Sequence, residues 1–491
     1  MRSFYGVVAC LLLLQALLGA NARAETDTAA APPAEVLTLH EAQRRAIEGY
    51  PSLKAVGERV LQAGARVRQA RSAWLPQVEA SWTGSHTDLS DVDVESARRG
   101  ARSALAASGA TAGLPSTSVT GSIIRLRNLA GGAAALGGIP ESVDSYRVSL
   151  GASYLLFNGF GRKHTTAVAK YGDRETRAAR DEATRLLLQA VAQSYHAVQL
   201  FRERIRIAEA DIAFNARLLK EAKLRNEAGA ASLSEVLNFE VRSRAAEAAL
   251  NNARNDYANA RTALSVLMNM EDGTLPENVE VETLGVETEE QMSLPDGEAA
   301  LQTAMASRPD LMRSQWAVKR AGATVGQRRA ALYPSVAAFA SRDASQGGNS
   351  RFGEDDFSTT VGLNVSYDIF TGGRNRAQIA EAKHAQKEAE YQEDEAALGV
   401  VSDVRQAVED LSTAQKQLVL QRDNARYVEK NRDLVAQEYA AGQTSLALLN
   451  QSQRDLVEAE GNLALARVSL LAAWHTLRTA TGETVKDWPL D

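Results

Sequence analysis

A chain of 491 residues, at roughly 150 per domain, has room for two or three domains and a large core. Its 55 Lys and Arg against 61 Asp and Glu leave a net charge of -6, without the basic excess of a nucleic-acid binder, so no nucleic-acid partner is expected. A mean hydropathy of -0.26, and no apolar run near ~20 residues beyond the N-terminus, argue against membrane-crossing helices.

The first segment is the one apolar run. Arg2 supplies a positive start, Phe4 through Ala20 an apolar core, and Ala22-Arg23-Ala24 the small residues of a cleavage site. Residues 1–24 therefore read as a secretory signal peptide, with 25–36 a linker behind it. Val7-Val8-Ala9-Cys10 superficially matches a lipoprotein box, but the apolar core continues well beyond it. Cys10, the only cysteine, is thus read as a small hydrophobe of the signal, and the mature chain has no thiol for disulfide, metal or redox chemistry.

A helix is predicted from Pro51 to Leu75, since proline suits a first turn and Pro76 pushes its predecessor out of helical geometry. Strands follow at about 76–88 and 143–158, where Val78-x-Ala80-x-Trp82 alternates with period two. The Ala-, Gly- and Ser-rich residues 89–142 between them are expected to form a mobile loop. Asn158-Gly159 ends the second strand, and a very long helix runs on to Gly229. Its apolar positions Leu187, Val191, Val198, Phe201, Ile205 and Ala208 fall on one seam spaced by fours and threes, the pattern of coiled-coil packing. Gly229 reads as a C-cap, after which a second helix returns from Ser232 to Met270. The acidic, proline-marked segment 271–296 joins this first repeat, 37–270, to a second, 297–482, with 483–491 a tail.

The second repeat restates the first. Pro51-Ser52-Leu53 falls on Pro309-Asp310-Leu311, and Tyr154-x-x-Phe157-Asn158-Gly159 on Tyr367-x-x-Phe370-Thr371-Gly372. Ala228-Gly229-x-x-Ser232-Leu233 falls on Ala441-Gly442-x-x-Ser445-Leu446. Arg162 and Arg374 follow the two strand ends. Three matched blocks in one order indicate a tandem duplication. Strands at about 334–345 and 356–371, and a seam through Val400, Val404, Ala407, Leu411, Ala414 and Leu418, complete the second half. The fold class is α+β and mostly α.

Aromatic residues such as Trp74, Trp82, Tyr154, Tyr333 and Phe370 gather in the strand windows. Aromatics favour strands in general, but they also girdle membrane barrels. Four strands cannot close a barrel, and open edges do not survive in lipid, so other copies of the chain must complete it.

The duplicated order, the Tyr-x-x-Phe-x-Gly strand ends and the paired Gly-x-x-Ser tips resemble the TolC family of outer-membrane efflux ducts, from about Val36 to Gly482. The resemblance implies a homotrimer in the bacterial outer membrane, with four transmembrane strands per protomer in a shared twelve-stranded barrel. A periplasmic α-barrel of long helices would hang below it. A periplasmic adaptor and an inner-membrane pump of RND or ABC type would be partners, and the outer-membrane lipid the surroundings. The tips Gly229, Ser232, Leu233, Gly442, Ser445 and Leu446 would face the adaptor. Glu235 falls where the family has an acidic gate partner and Tyr439 where a tyrosine bonds it. The family's second tip often has an arginine where this chain has Thr444, and acidic rings where it has Leu448 and Gln451. Closure is then expected to rest on apolar packing by Leu448 instead of an acidic, cation-binding constriction.

No other constellation carries chemistry. The six histidines lack metal spacing, and Gly131-Gly132 and Gly137-Gly138 sit in low-complexity sequence, not a phosphate loop. The chain is expected to be no enzyme and to take no cofactor or metal. A passive export duct, for small molecules or for proteins as in type I secretion, is the leading reading. A trimeric coiled-coil scaffold or adhesin anchored by a small barrel is the alternative.

Overall fold

The computed structural model describes residues 35–488, apart from 89, 93–94, 97–98, 101–102, 104–141, 271 and 277. The signal peptide, most of the linker and most of the 89–142 insertion lie outside the described residues. The chain divides into two compact units, and each draws on both sequence repeats.

One unit comprises residues up to 50 with 187–293 and 412–475. The short strand β1, Glu35–Leu37, makes regular structure of the linker's end by pairing in parallel with the later strand β4, Val279–Val281. Helix α1, Leu39–Gly49, is capped by Thr38, whose Oγ1 accepts the Glu41 N–H. Leu37, Val191, Tyr195, Val198, Leu264 and Val281 are fully or almost fully buried, and the Tyr195 hydroxyl donates to the Leu37 carbonyl at 2.9 Å. The joining segment 271–296 has little regular structure, so its carbonyls need partners from side chains. Arg261 donates to the carbonyls of Val279, Leu275 and Pro276, Arg202 to that of Val281, and Gln415 to those of Gln291 and Ser293. Trp474 Nε1 also donates to Gln291. These long side chains, together with the buried Leu275, Val279 and Val281, fix the path of the segment.

The other unit comprises 51–186, 294–411 and 476 onward. Helix α2, Pro51–Ser72, leads into a four-stranded antiparallel sheet of β2, Gln77–Asp88; β3, Ser142–Asn158; β5, Ser335–Gly347; and β6, Phe357–Ser366, in the order β2-β3-β5-β6. The register places Val78, Ala80 and Trp82 beside Ala152, Leu150 and Val148, which continue to Ala340, Arg342 and Ala344, then Val361, Thr359 and Phe357. That face is mostly apolar; Arg342 on it covers the Phe357 ring at 5.1 Å. The other face carries Gln77, Glu79, Ser81, Ser149, Gly151, Ser341, Asp343, Thr360 and Ser358. Among the described residues, nothing pairs with the outer edges of β2 and β6.

The sequence-predicted fourth strand at 356–371 ends earlier, at Ser366. β3 reaches Asn158 because β5 pairs with it as far as Ser335, whereas β6 has β5 alone and stops opposite that same Ser335. Tyr367, Ile369 and Phe370 therefore lie beyond the ladder and stand exposed.

Helices of matched length follow each strand pair. α3, Gly161–Glu227, and α7, Arg374–Ala440, have 67 residues each, about 100 Å at 1.5 Å per residue. α4, Leu233–Leu267, and α8, Leu446–Ala480, have 35 each. α5, Gly297–Ser307, and α6, Pro309–Arg329, precede β5, and α9, Glu483–Lys486, begins the tail. Val400, Val404, Leu411 and Leu418 of the α7 seam are buried, as the four-and-three spacing requires.

The two strand-to-helix junctions differ. Gly159 has φ +63°, and a Cβ there would meet the Ala330 carbonyl at 2.6 Å and the Tyr333 Cβ at 2.7 Å. Arg162 is buried below it, donating to the carbonyls of Leu156 and Ala73 and covering the Trp74 ring at 4.6 Å. Gly372 has φ +61° but open space around it, and Arg374 is exposed with only Asp368 nearby at 3.8 Å. Gly159→Ala is expected to destabilise by about 2–4 kcal/mol, from a left-handed backbone plus overpacking. Gly372→Ala should cost only about 1 kcal/mol, from the backbone alone. Denaturant midpoints of the two purified variants would test the difference.

Candidate functional site

The strongest convergence of sequence-predicted site residues lies in the first unit, where the turns α3–α4 and α7–α8 end their helices alike. The Ala230 N–H reaches the Arg225 carbonyl at 2.7 Å and the Gly229 N–H the Asn226 carbonyl at 2.9 Å. Gln443 and Gly442 repeat this onto Glu438 and Tyr439. Both are Schellman caps, with Gly229 at φ +73° and Gly442 at φ +74°. Ser232 and Ser445 then cap the returning helices, their Oγ atoms accepting the N–H groups of Glu235 and Leu448.

Glu235 and Leu448 thus occupy the same third position of their helices and differ in role. Glu235 places a carboxylate at the positive end of α4, where the helix dipole favours it. The Tyr439 hydroxyl donates to Glu235 Oε1 across 204 positions of sequence. Burial, reinforced by the Glu235 carboxylate, raises the Tyr439 pKa above the ordinary phenol value, so the hydroxyl stays a donor at physiological pH. Leu448 is 46% exposed, and Leu233 63%. Gln451 is exposed and turned to its own helix, donating to Asp455 Oδ1 at 2.6 Å and accepting from Arg454.

Beneath the pair, four helices share one apolar cluster. Phe214, Leu218 and Ala222 come from α3, Val236 and Phe239 from α4, Val435 from α7 and Leu449 from α8, with Tyr439 and Leu446 packed against it. Phe239, almost fully buried, meets the Tyr439 ring edge-on with centroids 6.4 Å apart. Asn450 Nδ2 donates to Asn238 Oδ1 at 2.9 Å, tying α8 to α4.

The structure therefore joins Glu235 to Tyr439 and leaves Leu448 and Gln451 outside the cluster. Sequence reasoning missed Phe239 and the Asn238–Asn450 pair. Phe239 lies one turn beyond Glu235, so helical spacing does place both on one face.

Chemically, the arrangement ties α4 to α7 by one side-chain hydrogen bond and α8 to α4 by another, over an apolar cluster that all four helices share. Among the described residues, no group of three or more His, Cys, Asp or Glu could hold a metal ion. No helix among them is long and apolar enough to cross a membrane, which says nothing of a barrel.

A two-faced sheet joined to paired long helices with capped turns defines an outer-membrane channel fold, and the sequence comparison agrees. The profile of the outer membrane efflux protein family matches residues 90–270 and 300–483, so the chain belongs to that family and to the outer membrane. It is 29% identical over 350 residues to the outer membrane efflux protein BepC of Brucella suis biovar 1, covering 69% of this chain and 73% of that one. To the alkaline protease secretion protein AprF of Pseudomonas aeruginosa it is 26% identical over 348 residues, covering 69% and 70%. The solved CmeC outer membrane channel of Campylobacter jejuni superposes with a TM-score of 0.72 at 16% identity, covering 90% of this chain and 85% of that one.

Proposed function

We propose that three copies of the chain assemble into a passive exit duct, the outer-membrane member of a tripartite export system. The carrying observation is the four-stranded sheet with one mostly apolar face and two outer edges that nothing among the described residues pairs with. Lipid demands closure, and three such sheets joined edge to edge give a twelve-stranded barrel, apolar outside and polar within. The matched helix lengths of 67 and 35 residues, and two separate matches of one family profile, support a tandem duplication with repeats at 37–270 and 297–482.

The capped tips, from Gly229 to Leu233 and Gly442 to Leu446, present Leu233 to solvent and suit docking of a periplasmic adaptor. An inner-membrane pump of RND or ABC type would drive transport, the duct contributing passage and no catalysis. Its cargo would be what the pump delivers, small molecules or secreted proteins, as the efflux and protease-secretion names of the two relatives illustrate. The Glu235–Tyr439 bond holds α4 against α7 in the closed arrangement, with Leu448 and Gln451 lining the constriction. Adaptor binding would bias the tips toward an open packing.

Liposome conductance and a heat-sensitive trimer band on a gel test the duct; a trimer without conductance would instead favour a trimeric coiled-coil scaffold, and the absence of both would overturn the duct. For the gate, Tyr439→Phe combined with Leu448→Ser is expected to raise cell susceptibility to large antibiotics severalfold. Unchanged susceptibility at normal expression would sink the gate assignment.

A further inference from the structure

Where α2 and α3 meet the sheet, a groove of about 860 Å³ runs between them. Arg71, Lys163, Lys170 and Arg174 line it, with Trp74 and Tyr171 as its aromatic members. The three cations Arg71, Lys163 and Lys170 are exposed, and no carboxylate among the described residues pairs with them. Arg174 lies over the Trp316 ring at 4.6 Å. Asp173, the one acid in the lining, is already bonded to Arg177 at 3.0 Å. Four positive charges therefore face one neutralised carboxylate.

The groove is also tied to the strands. Trp74 stands three residues before β2, and Lys163 five after β3. From Lys163 to Arg174 the basic stripe descends α3 by about 16 Å. Exposed Trp74, Leu75 and Phe160 mark the strand ends, and Val78 begins the apolar face. Aromatics at such a level sit among headgroups, with apolar residues in the hydrocarbon beyond.

We infer that this groove binds the phosphate headgroup of an anionic phospholipid from the periplasmic leaflet of the outer membrane, its acyl chains lying along the apolar face that begins at Val78. The inference rests on the barrel reading above, which puts the strand ends at the membrane surface. Basic side chains near such a surface attract anionic lipid, and Trp74 and Leu75 favour a lipid over free phosphate, which has no apolar part.

The test uses the purified full-length protein in detergent. Native mass spectrometry would follow retention of cardiolipin and phosphatidylglycerol against zwitterionic phosphatidylethanolamine, with millimolar inorganic phosphate as competitor. The wild type should prefer the anionic lipids and keep them against phosphate. Arg71→Gln/Lys163→Gln/Lys170→Gln should weaken that retention on the order of 100-fold, three charges being removed. A control removing Lys54, Arg59 and Arg68, exposed cations of α2 outside the groove, should retain lipid as the wild type does. Equal retention by the triple variant, equal loss by the control, or displacement by phosphate would overturn the inference. So would a triple variant whose trimer weakens while lipid retention holds, since a second copy would then occupy the groove. Conductance and the heat-sensitive trimer, measured on the same preparations, separate the failures. If both persist without lipid preference, only the groove assignment fails; if both are absent, the duct reading and this inference fall together.

Discussion

Arg308→Ala is expected to destabilise the protein by about 3–5 kcal/mol, the cost of breaking a buried ion pair from one side. The Arg308 side chain is 3% exposed and bonds Asp310 at 2.5 Å and Asp403 at 2.7 Å. Asp310 stands in the first turn of α6, which Arg308 itself precedes as N-cap. Burial acts to raise the Asp310 pKa, but the hydrogen bonds and charge of Arg308 outweigh it and hold the carboxyl below its usual range. A depressed folded-state pKa contributes stability above the unfolded value, about 3.9, and loses it as pH falls through the lower folded value. The gap between wild type and Arg308→Ala should thus be full at neutral pH and shrink below about pH 4. Chemical denaturation followed by helical circular dichroism, repeated across that range, would show it. A gap unchanged on acidification would mean that Arg308 acts through packing alone.

Phe239→Ala should be comparably severe, at about 3–5 kcal/mol for a buried aromatic in a closed cluster. Its ring is 1% exposed, with neighbours from all four tip helices, and the Tyr439 ring rests against it. The loss should be local. Amide hydrogen exchange ought to quicken in 214–222, 233–240 and 432–440 while 187–200 keeps its protection. Truncation here also removes the support that orients the Tyr439 hydroxyl, so antibiotic susceptibility should follow that of the gate variant. Uniform acceleration along the helices would instead show that the tip does not open as a separate unit.

Much of this architecture could be read in advance because it is periodic. The four-and-three spacing through Val400, Val404, Ala407 and Leu411 needs only a helix with one buried side, and Val78-x-Ala80-x-Trp82 only a strand with two unlike faces. Gly229 and Gly442 were legible because a left-handed residue strongly favours glycine. Periodicity says which face is buried, but not what meets it. The Tyr439–Glu235 bond joins residues 204 apart and came from family resemblance, not pattern. Phe239 and the Asn238–Asn450 pair carried no signal that set them apart from other helix positions. The course of 271–296 was hidden for another reason: much of its order comes from Arg261, Arg202, Gln415 and Trp474, side chains spread over four helices.

Arg162 and Arg374 show the limit most sharply. The repeat alignment makes them equivalents, yet one is locked under Trp74 and the other stands in solvent. A closed ring of three chains would contain six such corners, rigid and yielding ones in alternation. Its symmetry is then threefold and not sixfold, however alike the two half-sequences look. A chimera built from two first halves would put a rigid corner at every position, and a torsional motion that relies on the yielding ones would have nowhere to turn.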